Sequence, residues 1–147
     1  MELHLSGSNT INAQRQAVFQ RLTDTAFLAK ALPDSEEVHV IDSSTLEAKL
    51  KVRVAVVSST LKVRVTVSNK IPTEKATLQV DGSGSGSTLK ITSNFTLVGD
   101  TPTRMDWTAD AEMSGVMAGL GSTLLKTFAT KKVDEIFSGI TKAIELS

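Results

Sequence analysis

The sequence of 147 residues contains no cysteine, which excludes disulfides, thiolate catalysis and metal sites built on cysteine. It has no tyrosine, one tryptophan and two histidines, so few side chains are available for acid–base chemistry. The formal net charge is zero, whereas a protein that binds nucleic acid through phosphate contacts needs a marked basic excess. These absences predict a protein with no nucleic-acid partner, no metal and no cofactor.

Long apolar runs are also missing, and none approaches the roughly 20 residues that a membrane-spanning helix needs. The first ten residues, MELHLSGSNT, lack the basic and apolar regions of a secretory signal. This pattern predicts a cytoplasmic location. The length suits one domain with one hydrophobic core, so we expect a single domain over residues 1–147.

The middle of the chain alternates apolar and polar residues with a period of two, which is typical of half-buried antiparallel strands. TLEAKLKVRVAV and STLKVRVTVSN predict a hairpin with its connection at residues 57–59. Alternation elsewhere predicts strands near 2–10, 36–42, 74–81, 87–98 and 104–113. The run DGSGSG at 81–86 is interpreted as a mobile turn.

Helical spacing occurs on either side of these strands. A helix over 13–22 is predicted with Asn12 as its N-cap, and a second short helix is predicted between the cap Asp24 and Pro33. A third, long helix is predicted from about 116 to 146. Strands without crossover helices make an antiparallel sheet, and an α+β sheet curled around one helix leaves room for an apolar cavity.

Three glycines interrupt the start of the long helix in MSGVMAGLGSTLL, although each glycine costs a helix roughly 1 kcal/mol relative to alanine. We predict that Gly115 makes the turn from the last strand into the helix. Gly119 and Gly121 are predicted to keep the helix slim beside the sheet or a ligand.

Two segments carry a resemblance to a known family: NAQRQAVFQRLTDTAFLAKALPDSEEV and ADAEMSGVMAGLGSTLLKTFATKKVDEIF. With the strands between them they resemble the CoxG family of carbon monoxide dehydrogenase subunits, which belongs to the START-like (SRPBCC, helix-grip) superfamily. Ala55 stands where the family often has a hairpin glycine. The resemblance implies a seven-stranded antiparallel sheet curled around a long C-terminal helix, two short helices after strand 1, and a lipophilic pocket between sheet and helix.

The resemblance also implies an accessory role beside a molybdenum hydroxylase, which the protein would connect to the membrane or to a lipophilic electron acceptor such as a quinone. The apolar residues on the inward side of the predicted strands and helix are the candidate lining of the pocket, with core packing as the alternative explanation for each. They are Val54, Val63, Phe95, Trp107, Met113, Met117, Leu120, Gly121, Leu124 and Phe128.

Charged residues on the predicted strands point outward. Lys49, Lys51, Arg53, Lys62 and Arg64 form a basic set on two neighbouring strands. A solvated sheet face is one explanation, and a docking surface for an acidic partner or anionic lipid headgroups is the other. Glu36 and Glu37 are neighbours in a strand and are predicted to point to opposite faces, which excludes a paired-carboxylate site. Both histidines are predicted to lie at the surface.

These observations favour a non-enzymatic protein that binds a quinone, isoprenoid or other lipid. It would serve the hydroxylase from the cytoplasm, in peripheral contact with the inner face of the membrane. Two alternatives stay open: a pocket enzyme of the cyclase or hydrolase kind, and a protein-interaction adaptor with a filled core. A titratable side chain inside the cavity would favour the enzyme.

Overall fold

The computed structural model describes residues 1–32 and 34–146, which form one sheet and three α-helices. The seven strands are β1 Glu2–Ile11, β2 Ser35–Val40, β3 Thr45–Val54, β4 Val57–Ile71, β5 Lys75–Gly84, β6 Ser87–Val98 and β7 Thr103–Gly115. The helices are α1 Arg15–Leu22, α2 Thr25–Ala31 and α3 Ser122–Glu145, and a 3₁₀ turn over Met117–Leu120 precedes α3.

All seven strands pair antiparallel in the order β1-β7-β6-β5-β4-β3-β2. The alternation in the sequence determines which side chains enter the core, because a shift by one residue would turn every apolar side chain to the solvent. Leu46 on β3 lies opposite Val65 on β4, and both are buried. The predicted antiparallel sheet with a long C-terminal helix and two short helices after β1 is confirmed.

The two short helices occur where the sequence predicts them, with one difference in capping. The Asp24 side chain accepts a hydrogen bond from the Ala26 backbone N–H at 3.0 Å, which confirms its role as the N-cap of α2. Asn12 is wrong as the cap of α1, because the helix begins at Arg15 after Gln14. The Asn12 backbone N–H instead donates to the Glu145 carboxylate at 2.8 Å. Pro33, predicted to end the second helix, lies outside the described residues.

Two hairpins are tighter than predicted. The β3–β4 connection consists of residues 55–56 instead of 57–59, and Ala55 adopts a left-handed φ of 55°. Residues 81–84 of the supposed mobile turn continue β5, and Ser87 pairs with Gly84. A side chain at Gly84 would collide with the Thr60 carbonyl oxygen, so glycine permits β4 and β5 to approach closely there.

The predicted helix over 116–146 is interrupted. Gly115 ends β7 with a φ of 89°, which confirms its role in the turn. The 3₁₀ turn follows, and Gly121, with a φ of 92°, separates it from α3. A Cβ built at Gly119 or Gly121 meets no atom within 4 Å, so close packing against the sheet is the wrong explanation for these two glycines. Gly121 provides the left-handed backbone of the break.

Within the described residues, no helix is long and apolar enough to cross a membrane.

Candidate functional site

Two groups of buried side chains lie between the sheet and the helices. The larger group, here called the main core, includes Ile11, Leu22, Leu46, Phe95 and Met105 and is covered by α1, α2 and the C-terminal half of α3. The smaller group, the second cluster, joins Leu3, Val54, Met117 and Leu125 at the other end of the sheet. The candidate cavity lies where these two groups meet.

Six apolar side chains on the inner face of the sheet remain only partly buried. We call them the inner apolar surface: Leu50, Val52, Leu78, Val80, Leu89 and Ile91. They belong to β3, β5 and β6, whereas the inward residues Leu61, Val63, Val65 and Val67 of β4 are all buried. Apolar area that stays accessible forgoes about 25 cal/mol per Å² of burial, which a lipophilic ligand would recover.

The position of α3 explains this incomplete burial. α3 makes its main approaches to the sheet at β1 and β3, one edge strand and the strand next to the opposite edge. The helix therefore spans the inner face of the central strands between these approaches. The sheet-facing side chains at the middle of α3, Phe128, Ala129, Val133 and Ile136, are likewise partly buried.

The predicted lining residues are divided between the two groups. Val63, Phe95 and Trp107 belong to the main core, where the Trp107 ring packs 5.0 Å from the Phe137 ring and its indole N–H donates to Asn9 at 3.1 Å. The second cluster contains Val54 and Met117 as buried members, with Met113, Leu120 and Phe128 packed against it.

Two of the predicted lining residues lie elsewhere. Leu124 is 39% exposed and Gly121 is exposed, so placing them in the lining is wrong. The physical reason is the break at Gly121, which changes the helical phase between Leu120 and Leu124. Leu125, fully buried, takes the inward position instead. The sequence identified the six residues of the inner apolar surface as inward-facing or apolar, but alternation alone does not tell which inward residues face α3.

A polar recess of about 730 Å³, which we call the vestibule, opens beside the inner apolar surface. It exists because β2 begins at Ser35, opposite Leu50, while β3 continues to Val54 without a further neighbouring strand. Val52 belongs both to the vestibule and to the inner apolar surface. The recess is therefore continuous with the apolar interior.

Lys132 of α3 reaches across the vestibule. Its ammonium lies 2.9 Å from the Asp34 carboxylate, just before β2, and 3.2 Å from Glu135 on its own helix. The hydrogen bond to Asp34 is the main cause that raises the pKa of Lys132 above its ordinary value. The Lys132 side chain is 31% exposed and lies 5.8 Å from the centre of the Phe128 ring.

The predicted basic set is partly neutralised on the outer face of the sheet. Lys49 pairs with Glu37 at 2.8 Å, Lys51 with Glu36 at 2.9 Å, and Arg64 with Glu47 at 3.2 Å. The hydrogen bond from Lys49 holds the pKa of Glu37 below its usual value. Over residues 1–32 and 34–146, neither Arg53 nor Lys62 has a carboxylate within 4 Å.

Glu36 and Glu37 do not point to opposite faces, and that prediction is wrong. The pairing of β2 with β3 shifts register after Glu36, and Glu37 has a φ of 49°, so both carboxylates reach lysines of the outer face. His4 and His39 are both exposed, as predicted, and His4 lies 2.5 Å from Asp110. In the part of the chain that the structure describes, no three acidic or histidine side chains are grouped as a metal site requires.

Comparisons with known proteins agree on one family and one fold. The model of the CoxG family, described as a subunit of carbon monoxide dehydrogenase, matches residues 7–145. No curated protein matches the sequence. A conserved protein from Geobacillus kaustophilus is similar in structure, with a TM-score of 0.87 and 24% identity over 97% of this chain and 95% of that one.

More distant structures share the fold. A START superfamily protein from Mycobacterium smegmatis has a TM-score of 0.73 at 12% identity, covering 97% of each chain. An aromatase/cyclase from Streptomyces sp. R1128 has a TM-score of 0.67 at 14% identity, covering 99% of this chain and 94% of that one. The fold is therefore START-like.

Proposed function

The chain belongs to the CoxG family of carbon monoxide dehydrogenase subunits, and we propose that it is a non-enzymatic accessory protein that holds a long lipophilic molecule between its sheet and α3. The observation that carries this proposal is the inner apolar surface, six inward-facing aliphatic side chains left partly accessible beneath α3. In a filled core these side chains would be buried as those of β4 are. A quinone, isoprenoid or other lipid chain has the apolar character that would cover them.

The absence of catalysis is part of the proposal. Inward hydroxyl groups are already engaged within the chain: Ser87 accepts from the Met117 backbone N–H at 3.0 Å, and Thr103 donates to the Ala13 carbonyl at 2.9 Å. Both imidazoles lie at the exposed surface, where they do not reach a molecule held under α3. The resemblance to an aromatase/cyclase extends to the fold alone.

Extraction of the purified protein with organic solvent, followed by mass spectrometry, tests whether it carries a lipophilic molecule. Titration with a decyl-substituted benzoquinone, followed by quenching of Trp107, the one tryptophan, measures uptake directly. We expect saturable quenching at one molecule per chain. Ile91→Asp, which places a charge on the inner apolar surface, is expected to abolish it, whereas Val98→Asp at an exposed site is expected to leave it unchanged. Extracts without lipid, together with no quenching, would refute the proposal.

We further propose that the protein serves a molybdenum hydroxylase of the carbon monoxide dehydrogenase type, from the cytoplasm and in peripheral contact with the inner face of the membrane. Support comes from the family and from the outer face of β3 and β4, where Arg53 and Lys62 have no ion pair with any described residue. Reversing both charges, as Arg53→Glu with Lys62→Glu, is expected to weaken co-purification with the hydroxylase of the same organism. Unchanged association would remove this surface from the proposal.

A further inference from the structure

Lys132 is placed where an interior polar contact would be made. It lies one turn after Phe128 and one turn before Ile136, so it belongs to the stripe of α3 that faces the sheet. The other described residues of that stripe that pack on the sheet, from Leu125 to Ile144, are apolar. An ammonium group at this position is costly to desolvate unless an anion accompanies it. Asp34, at the rim of the vestibule, is the internal anion.

The vestibule offers more positive than negative charge to a molecule that enters it. Lys51, Arg53 and Lys132 contribute cations, while Asp34 and Glu36 contribute carboxylates. Arg53 has no carboxylate within 4 Å among the described residues, and its planar guanidinium matches the geometry of a carboxylate or phosphate. An incoming anion would find Arg53 unpaired and could replace Asp34 at Lys132.

The neighbouring apolar wall supplies the second half of the site. Val52 joins the vestibule to Leu50, Val80 and Ile91, so a head group at Lys132 has an apolar path directly beside it. The arrangement matches a molecule with a charged end and an aliphatic chain.

We propose that the vestibule binds the anionic head group, carboxylate or phosphate, of an amphiphile whose chain lies on the inner apolar surface. This inference rests on the proposed function, because it assigns one end of the same ligand. It also assigns Lys132 as the residue that distinguishes an acid from a neutral molecule of equal chain length. The Lys132–Asp34 pair then closes the vestibule in the unliganded protein and opens when the head group takes its place.

Calorimetric titration with three probes of equal chain length tests the inference: dodecanoate, dodecyl phosphate and 1-dodecanol, each below its micellar concentration. We expect at least one anion to bind about tenfold more tightly than the alcohol, the size expected for a hydrogen bond to a charged group. The anion that binds more tightly identifies the head group as carboxylate or phosphate.

Variants separate the role of Lys132 from general charge. Lys132→Met is expected to reduce anion affinity about tenfold without changing that for 1-dodecanol. Lys131→Met, on the solvent face of α3, is the matched control and is expected to change neither. Asp34→Asn removes the internal competitor and is expected to raise anion affinity, and asparagine tolerates the φ of 57° at this position.

Two results would overturn the inference, and they differ in what else they refute. If 1-dodecanol binds as tightly as both anions, or if Lys132→Met and Lys131→Met behave alike, the head-group assignment fails while the proposed function stands. If the folded protein binds none of the three probes, the proposed function fails together with the inference.

Discussion

The main core and the inner apolar surface have the same kind of side chains but differ in how completely they are covered. The main core is closed by α1, α2 and the C-terminal half of α3, and Ile11 and Leu46 have no exposed area. The inner apolar surface lies under the middle of α3, which approaches the sheet mainly at β1 and β3. The comparison teaches that one sheet can devote one part of its inner face to stability and another to binding.

The largest expected effect comes from removing the same side chain on each side of this division. Phe95, 4% exposed, belongs to the main core, so Phe95→Ala is expected to lower the free energy of unfolding by roughly 3–5 kcal/mol. Phe128 is partly buried on the sheet-facing side of α3, and Phe128→Ala is expected to cost less than about 1.5 kcal/mol. Urea unfolding of both variants measures the difference, and equal losses would break the comparison.

The next effect concerns the frame around the second cluster. A side chain at Gly115 would collide with the Gly86 carbonyl oxygen, and its φ of 89° disfavours any other residue. Gly115→Ala is therefore expected to lower the free energy of unfolding by more than about 1 kcal/mol. Gly119→Ala places its methyl group in open space and is expected to change stability by less than about 0.5 kcal/mol. Thermal unfolding of the pair would contradict this expectation if Gly119→Ala were the more damaging.

A smaller effect is expected at the hairpin beside the second cluster. Ala55 has a left-handed φ of 55°, a conformation that glycine adopts without steric cost. Ala55→Gly is expected to stabilise the protein by less than about 1 kcal/mol, because relief of strain exceeds the added freedom of the unfolded chain. A lower midpoint in urea would show that the hairpin carries no strain at this residue.

The smallest effect is a pH dependence on the outer face, away from both regions. Asp110 accepts a hydrogen bond from His4 and raises the pKa of His4 above 6.5. Because the folded pKa is the higher one, this stabilisation is present below the unfolded pKa and is lost as pH rises through the folded value. His4→Asn is expected to flatten the slope of stability between about pH 6 and 8. NMR titration of the imidazole gives the pKa, and a value at or below 6.5 would contradict the prediction.

The strands and their register could be predicted because period-two alternation places Leu46, Val65 and Phe95 on one face and leaves no second register that buries them. The long helix was predicted as one element because its apolar residues continue through Gly121. The break depends on a backbone φ of 92° that periodicity does not record.

The candidate site was harder to predict for two physical reasons. Alternation assigns Ile91 and Phe95 to the same face of β6, yet only the path of α3 decides that Phe95 is covered and Ile91 is left accessible. The basic set was predicted strand by strand, whereas Glu36 and Glu37 reach it from β2 through a bulge that the sequence does not signal. Distances between elements, rather than patterns within them, determine the site.

Methyl chemical-shift mapping by NMR during titration with 1-dodecanol tests the central claim most directly, because the aliphatic residues of both regions carry methyl groups. We expect saturable shifts for Val52, Val80, Leu89 and Ile91 of the inner apolar surface, while Ile11, Leu22 and Leu46 of the main core stay unchanged. Shifts confined to the exposed Val56 and Val116, or no shifts at all, would contradict the claim.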